Sequence, residues 1–445
     1  MQTYANFHSQ VAERDAAMDV KCAGDACHVH MPGGYGLKIL LSAYACRPGG
    51  GSEPGIGWHW AEEIARLGHE VHVLTRSTHA PFCARSAEDM GLQMVIHGYD
   101  LPRWARWWKS EKTMRGTRLY YLLWQWRAYP IARALQARER FDLVHHITFG
   151  GHRYPSFMGR LGIPFILGPI GGGETSPPAL VRSAPLGPRI FETLRSLGNR
   201  VAAVDPFVQG TFRNAALILC KTQETRNEIP PALRYKCALV PDVAAETALV
   251  AATPPQGSET PQFLYAGRLL YWKGVHLALR ALAEVRHQLP DATMIVVGHG
   301  AQEEWLHQLA QKLGISEAVE WRGWLSRQEV MSLYGGCTAF TFPSLHDSGG
   351  TVVLEALSQG VPVICLDLGG PGAMLPENCG IKIPTEGRTE EQVVSALAEA
   401  MRRIACDPRL RHKFAKNALD AARIQTWQQI VSSAYALIDE ALAAR

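Results

Sequence analysis

Two carboxylates eight positions apart, Asp347 and Glu355, bracket the pair Gly349-Gly350. The glycines open an apolar run that is typical of a helix and that ends at Gly360, before a Val-Pro-Val-Ile strand. The first turn of a helix has free N–H groups, and with small residues there it can bind an anion. Carboxylates repel phosphate, so these two are better placed to bind hydroxyl groups. A ligand with both phosphate and hydroxyls suggests a nucleotide sugar.

Two cations, Arg268 and Lys273, lie five positions apart in a turn between a predicted strand and a predicted helix. A guanidinium fork and an ammonium group suit a diphosphate leaving group. Two surface cations on a loop are the more ordinary interpretation of this pair taken alone. Together with the carboxylate–glycine segment, the pair favours diphosphate binding.

These motifs resemble the donor half of family 4 glycosyltransferases, which are retaining enzymes with the GT-B fold. The resemblance rests on Gly267-Arg268 and Lys273-Gly274, followed by a carboxylate-x7-Glu element and Gly360-Val-Pro-Val-Ile, and it covers residues 38–445. Residues 42–55 also resemble members found in bacterial exopolysaccharide and lipopolysaccharide assembly. The implied fold class is α/β, with two Rossmann-like domains whose parallel sheets face an interdomain cleft.

The resemblance assigns a role to each motif residue. Arg268 and Lys273 would bind the donor diphosphate, Glu355 the ribose, and Asp347 the transferred sugar. Asp347 departs from the family pattern, which has Glu at this position, and its shorter side chain points to a different sugar or a different sugar position. The implied donor-binding residues are Gly50, Gly51, Gly267, Gly349, Gly350, Thr351, Trp324 and Leu325.

Trp324 and Leu325 follow a predicted strand where such enzymes seat the nucleotide base. A structural tryptophan is the alternative for Trp324.

The N-terminal glycine loop would let the backbone approach the diphosphate from across the cleft, through Gly49, Gly50 and Gly51. An ordinary flexible loop between a strand and a helix is the alternative. Glu53 in the same segment is a candidate for contact with acceptor or donor.

The acceptor or sugar side has two further candidates, His146 and Gly172. His145 and His146 end a predicted strand on the cleft side, and a buried structural histidine is the favoured alternative for both. Many family members have a histidine after the next strand, where this chain has Gly168-Pro-Ile-Gly-Gly-Gly-Glu174. Glycines there would admit the sugar or the acceptor.

The implied reaction needs stabilisation of a leaving diphosphate, which cations and a helix N-terminus can provide. No Asp-x-Asp at a strand end offers a metal clamp, so we expect no metal ion and no cofactor. No residue presents itself as a double-displacement nucleophile, and the resemblance implies retention by same-face attack. A phosphorylase would need a lysine-bound pyridoxal phosphate. A non-catalytic nucleotide-sugar-binding partner of an assembly complex is the alternative that Asp347 leaves open.

These residues need two α/β domains to position them. A chain of 445 residues with 47% apolar and 19% charged residues is globular and too long for one ordinary core. We expect an extension that we interpret as mobile, an acceptor-side domain, a linker, a donor domain, and a C-terminal helix that packs back on the first domain. Their predicted ranges are 1–36, 37–242, 243–262, 263–424 and 425–445.

The net charge of +4 does not indicate a nucleic-acid partner. Ten scattered cysteines without a preceding hydrophobic signal peptide predict reduced thiols in a cytoplasm. No apolar run is long enough to predict a membrane span. The extension contains Cys22, Cys27, His28 and His30, but their spacing fits no zinc pattern.

Residues 103–127 combine cations with aromatic side chains, which is typical of attachment to an anionic leaflet. Peripheral attachment to the inner face of the plasma membrane would place the chain beside an acceptor saccharide linked to polyprenyl diphosphate. An internal helix pair with a basic outer face is the alternative. The candidates for the membrane contact are Arg103, Trp104, Arg106, Trp107, Trp108, Lys109 and Lys112, with Tyr120, Tyr121, Trp124 and Trp126 following.

Overall fold

The computed structural model describes residues 36–51, 53–102, 116–255 and 260–444. Two parallel sheets lie within these ranges. The strands of the first sheet are β1 (Lys38–Ser42), β2 (Glu70–Thr75), β3 (Met94–Gly98), β4 (Leu143–His146), β5 (Phe165–Ile170), β6 (Leu217–Cys220) and β7 (Cys237–Leu239). The strands of the second sheet are β8 (Gln262–Ala266), β9 (Thr293–Val297), β10 (Val319–Gly323), β11 (Ala339–Phe342), β12 (Val363–Leu366) and β13 (Gly380–Ile383).

Helices connect the strands and cover the sheets. Those of the first half of the chain are α1 (Glu53–Arg66), α2 (Ala80–Asp89), α3 (Thr117–Glu139), α4 (Leu186–Val204), α5 (Pro206–Asn214) and α6 (Gln223–Glu228). Those of the second half are α7 (Val275–Arg286), α8 (Glu303–Lys312), α9 (Arg327–Tyr334), α10 (Thr351–Ser358), α11 (Gly369–Met374), α12 (Glu390–Cys406), α13 (Pro408–Ile424) and α14 (Trp427–Ala443).

The central strands are buried on both faces, as in other parallel sheets flanked by helices. In β1, Ile39 and Leu41 join one apolar cluster with residues of α1 and α14. Leu40 points the other way, into a cluster with the aromatic side chains of α3. The continuous apolar strands of the sequence therefore have a direct physical cause, and the predicted α/β class with two Rossmann-like domains is confirmed.

Each sheet has one point where the strand order reverses. The orders are β3-β2-β1-β4-β5-β6-β7 and β10-β9-β8-β11-β12-β13, so the reversals lie between β1 and β4 and between β8 and β11. Ligands of such sheets bind beyond the carboxyl ends of the strands at this point. The loops that begin at residues 43, 147, 267 and 343 leave these ends, and they carry most of the predicted site residues.

The end of the chain returns to the first sheet. Helix α14 contributes Ile430, Ala434 and Tyr435 to the apolar cluster of β1 and α1. The segment between the two sheets contacts the residues just before α14, since the Ala245 N–H donates to the Gln425 carbonyl at 2.8 Å. One apolar cluster thus contains side chains of β1, α1 and α14.

Candidate active site

The loop after β8 places two predicted cations at the reversal point of the second sheet. Arg268 is exposed, and the residues that the structure describes offer its guanidinium no ion pair. Lys273 ends a short 3-10 turn, and Gly274 follows with φ +73° as the first flanking residue of α7. A Cβ on Gly274 would lie 1.8 Å from the Pro343 carbonyl oxygen, so glycine lets the loops after β8 and β11 meet.

The loop after β11 ends at the N-terminus of α10. Gly350 is the residue before the first helical turn, and no side chain caps it. A Cβ added at Gly349 would meet nothing within 4 Å, so this backbone faces open space. An uncapped helix start beside open space is suited to bind an anion, as the sequence predicted for Gly349, Gly350 and Thr351.

Lys273 and Asp347 form an ion pair, which the sequence did not predict. The Lys273 ammonium contacts the Asp347 carboxylate, and the side chains are 18% and 26% exposed. The ammonium also lies 5.3 Å from the centre of the Phe342 ring. Lys273, which the sequence predicted to bind phosphate, and Asp347, predicted to bind the sugar, are therefore paired with each other in this structure. Of the two predicted cations, Arg268 is the one without an ion pair among the described residues.

Glu355 lies in α10 and pairs with Arg327, at 2.9 Å between Oε1 and Nε. Arg327 also contacts the carboxylate of Glu246, in the segment between the two sheets. Burial raises the pKa of the Glu355 carboxyl, and the charge of Arg327 opposes that rise. Sequence reasoning missed Arg327. The sequence pattern that could have located it is Ser326-x-x-Glu329, a capping box that makes Arg327 the first residue of α9.

Trp324 and Leu325 follow β10 at the same edge of the sheet. Trp324 is 76% exposed, whereas Leu325 packs partly against the core. The structure thus disfavours a core tryptophan at position 324. Contact of these two residues with a nucleotide base stays a prediction.

The N-terminal glycine loop precedes α1. A Cβ on Gly51 would meet nothing within 4 Å, whereas one on Gly50 would lie 2.9 Å from the Pro54 side chain. Glu53 begins α1, and its carboxylate accepts the Phe149 N–H at 2.9 Å. Phe149 has φ 54°, a conformation that is uncommon outside glycine. Glu53 therefore ties the loops after β1 and β4 together, and its contact with a ligand stays a prediction.

The histidines of β4 are interior residues. His145 Nε2 donates to the Gly168 carbonyl at 2.8 Å, and His146 Nε2 lies 3.1 Å from the Tyr121 hydroxyl. Burial lowers the pKa of His145 to about 4 and that of His146 to about 3, so both rings are neutral near pH 7. Their central strand is covered on both faces. This position favours the structural interpretation over acceptor contact for His146.

His152 is a further histidine near the cleft that sequence reasoning missed. It lies in the loop after β4 and is 4% exposed. Its Nδ1 is 3.3 Å from the Gly171 carbonyl, and its Nε2 has no hydrogen-bond partner among the residues described. Burial lowers its pKa to about 4. The only sequence signal was one histidine after two glycines, Gly150 and Gly151.

Gly172 lies beside His152 and has φ +96°. Its N–H donates to the buried Glu174 carboxylate at 3.0 Å. The neighbouring Gly171 approaches the second domain so closely that an added Cβ would lie 2.7 Å from the Ser348 Cβ. The tertiary structure thus brings the predicted sugar side, at Gly172, next to the loop that carries Asp347.

The predicted membrane contact divides into two parts. Arg103, Trp104, Arg106, Trp107, Trp108, Lys109 and Lys112 lie outside the described residues, as do Cys22, Cys27, His28 and His30. Tyr120, Tyr121 and Trp124 are fully buried in α3, where Trp124 Nε1 donates to the Tyr99 carbonyl at 2.9 Å. An interfacial role for these three aromatic residues was wrong, because they fill the core beneath the first sheet.

Across the described ranges, no helix is long and apolar enough to cross a membrane. In the same part of the chain, no three His, Cys, Asp or Glu side chains cluster in a way that could hold a metal ion. The independence from metal ions and cofactors stays a prediction.

Each half of the chain matches a family model. Residues 58–236 match the model described as Glycosyltransferase Family 4, and residues 252–420 match the one described as Glycosyl transferases group 1. The first match begins within α1 and covers most of the domain that contains the first sheet. The second contains Arg268, Lys273, Asp347 and Glu355.

Relatives and solved structures show the same similarity. Glycogen synthase of Mycobacterium tuberculosis is 33% identical over 158 residues, which are 35% of this chain and 37% of that protein. The lipopolysaccharide core biosynthesis glycosyltransferase LpsE of Rhizobium meliloti is 25% identical over 228 residues, 50% of this chain and 64% of that protein. The alignments thus span less than two thirds of either relative. The fold is similar to that of Anabaena HepE in complex with UDP, with a TM-score of 0.56, 17% identity, and coverage of 92% of this chain and 100% of that one.

Proposed function

We propose that this chain, which resembles family 4 glycosyltransferases in both of its GT-B domains, transfers a sugar from a nucleotide sugar to an acceptor saccharide. The resemblance predicted from the motifs is confirmed, because one glycosyltransferase model matches each domain. The observation that carries the proposal is that the loop with Arg268 and Lys273 and the loop that ends at the uncapped start of α10 leave adjacent strands at one reversal point. This point offers two cations and a helix N-terminus to a leaving diphosphate.

The donor would bind with its diphosphate at this point and its ribose at Glu355. Asp347 would bind hydroxyls of the transferred sugar after releasing Lys273 to the phosphates. That HepE binds UDP and that LpsE acts in lipopolysaccharide core biosynthesis supports a nucleotide-sugar donor and a role in cell-surface or exopolysaccharide assembly. The acceptor we propose is a saccharide linked to polyprenyl diphosphate, at the cytoplasmic face of the plasma membrane.

The reaction would proceed with retention and without a metal ion. The bond between the anomeric carbon and the diphosphate oxygen breaks, and the acceptor hydroxyl oxygen bonds to the same face of that carbon. The hydroxyl proton passes to the departing phosphate oxygen, so atoms and charges balance. Arg268, Lys273 and the N–H groups of α10 stabilise the charge that develops on the diphosphate.

The first experiment finds the donor and then measures transfer. A thermal-shift panel of nucleotide sugars identifies the donor, because a bound ligand stabilises the folded chain according to its affinity. Transfer and donor hydrolysis are then compared for the wild type, Arg268→Ala and Lys273→Ala. Loss of at least about 100-fold in each variant is expected, since each removes a charged contact to the leaving group. Arg322→Ala is the matched control, because Arg322 is an exposed cation paired with Glu320 at 2.6 Å.

Normal turnover in both site variants would overturn the assignment. Binding of the donor without hydrolysis or transfer by the wild type would favour the non-catalytic partner instead. The anomeric configuration of the product, measured by NMR, tests retention. Dialysis against a chelator tests the absence of a metal requirement, which activity restored only by a divalent ion would contradict.

A further inference from the structure

Helix α4 shows an apolar row to solvent. The members of this outer row recur at intervals of three or four residues, so they share one side of a helix that is roughly 27 Å long. They are large aliphatic side chains, each more than half exposed: Leu186 (75%), Ile190 (59%), Leu194 (61%), Leu197 (53%), Val201 (58%) and Val204 (76%). A helix of a globular protein ordinarily turns such a row toward the core.

The opposite face of α4 is the polar one, and it is in contact with both halves of the candidate site. Glu192 Oε1 lies 2.8 Å from Nε2 of His346, the residue before Asp347. Arg195 donates to the Gly172 carbonyl at 3.1 Å and to the Glu174 carbonyl at 2.8 Å. The helix thus turns Glu192 and Arg195 toward the candidate site and its aliphatic row toward solvent. Core packing therefore does not account for the outer row.

The charges of α4 indicate what covers the outer row. Arg189 and Arg200 are exposed, and both lie on the same flank of the row by helical spacing. The single acidic residue of α4 is Glu192, which is buried at the inner face. A second copy docked antiparallel through this row would bring its arginines to the same side, and in either orientation α4 offers no exposed acid to pair with them. Anionic phospholipids would pair with these arginines and accept the apolar side chains.

We propose that the outer row of α4 docks on an anionic phospholipid surface. The six aliphatic side chains enter the boundary between headgroups and acyl chains, while Arg189 and Arg200 meet the lipid phosphates. Docking in this way places the cleft at the membrane, because the inner face of the same helix contacts the loops of Gly172 and Asp347. The inference depends on the proposed function only for the membrane-bound acceptor, and the binding test uses neither donor nor acceptor.

The test is co-sedimentation of the full chain with phosphatidylcholine vesicles, with and without phosphatidylglycerol. We expect the wild type to sediment with the anionic vesicles and to be released by salt. The variant Leu194→Gln/Leu197→Gln should bind at least about tenfold more weakly, because two interfacial leucines are lost. Unchanged circular dichroism and melting temperature will show that the variant folds, which we expect because both side chains are exposed.

Control variants distinguish α4 from other surfaces. Val95→Gln/Ile424→Gln changes two exposed aliphatic side chains elsewhere and should bind vesicles like the wild type. Vesicle binding that survives the leucine variant but is lost in Arg106→Gln/Lys109→Gln would overturn the proposal in favour of residues 103–115.

Two other results would also overturn it. One is a wild type that fails to sediment with anionic vesicles at low salt. The other is a dimer in light scattering that the leucine variant dissociates, which would make the row an interface between copies. Donor hydrolysis is measured separately, so a failure of vesicle binding leaves the glycosyltransferase assignment standing.

Discussion

Replacing Asp347 with asparagine should tighten the binding of a nucleoside diphosphate while it slows sugar transfer. The Asp347 carboxylate forms an ion pair with the ammonium of Lys273, and we assign this ammonium to the binding of the phosphates. The isosteric amide removes the competing negative charge and keeps the shape of the side chain. Product binding and catalysis should therefore change in opposite directions, which loss of a merely structural contact would not produce.

The size of the effect follows from the exposure of the pair. A hydrogen bond between charged groups contributes about 1.5–3 kcal/mol in proteins. The two side chains are 18% and 26% exposed, so water screens part of that interaction. A net change of about 1.4 kcal/mol corresponds to about tenfold tighter binding of the diphosphate. Transfer should fall by at least about tenfold, because an amide binds sugar hydroxyls less strongly than a carboxylate.

Isothermal titration calorimetry with UDP, or with GDP if the chain prefers it, measures this affinity. The variants form a double-mutant cycle of Asp347→Asn, Lys273→Met and the pair together. In the Lys273→Met background, Asp347→Asn should have no more than a small effect on diphosphate affinity. Equal or weaker diphosphate binding by Asp347→Asn in the wild-type background would refute the reasoning.

Three further predictions follow from packing and titration. Gly274→Ala should lower the free energy of unfolding by about 3 kcal/mol or more in urea denaturation, because the added Cβ would lie 1.8 Å from the Pro343 carbonyl oxygen. The control Gly314→Ala, at a position with φ +68° and open space, should lower it by about 1 kcal/mol, and equal losses in the two variants would contradict the prediction. Arg327→Gln should raise the pKa of Glu355 further, because the charge of Arg327 opposes the rise that burial causes. Nucleotide affinity should therefore weaken at higher pH than in the wild type as the pH is lowered, and identical pH profiles would refute the link. The two histidines of β4 have folded-state pKa values lowered to about 4 and about 3, so the unfolded chain binds more protons than the folded chain below about pH 6.5. The free energy of unfolding should therefore fall as the pH is lowered, by about 2 kcal/mol for each histidine at about pH 5, and urea midpoints that stay constant from pH 7 to 5 would contradict this.

Local patterns predicted the strands and the positions of the motifs. The continuous apolar segments that precede Arg268 and follow Gly360 are buried strands, β8 and β12, as expected. The pattern was less informative in residues 117–127, where aromatic side chains serve a core or a membrane surface equally well. Only the burial of Tyr121 and Trp124 beneath the first sheet distinguishes the two.

Contacts between distant segments could not be predicted in the same way. The pairs Lys273–Asp347 and Arg327–Glu355 join residues 74 and 28 positions apart. His152 acquires its place beside Gly172 because the loop after β4 meets the loop after β5. Such proximities depend on strand order and loop path, which residue spacing alone does not specify.

The sequence by itself determined the two α/β domains, the glycine turns and the residue types at the reversal points. Short-range sterics and the burial of apolar strands act within a few residues and are therefore visible in the chain. The tertiary structure decided which charges face one another, which histidines are buried, and which side of α4 is exposed. Charge pairing and burial depend on neighbours that are distant in the chain, so the pairing of Asp347 with Lys273 emerges only when the loops after β8 and β11 are folded side by side.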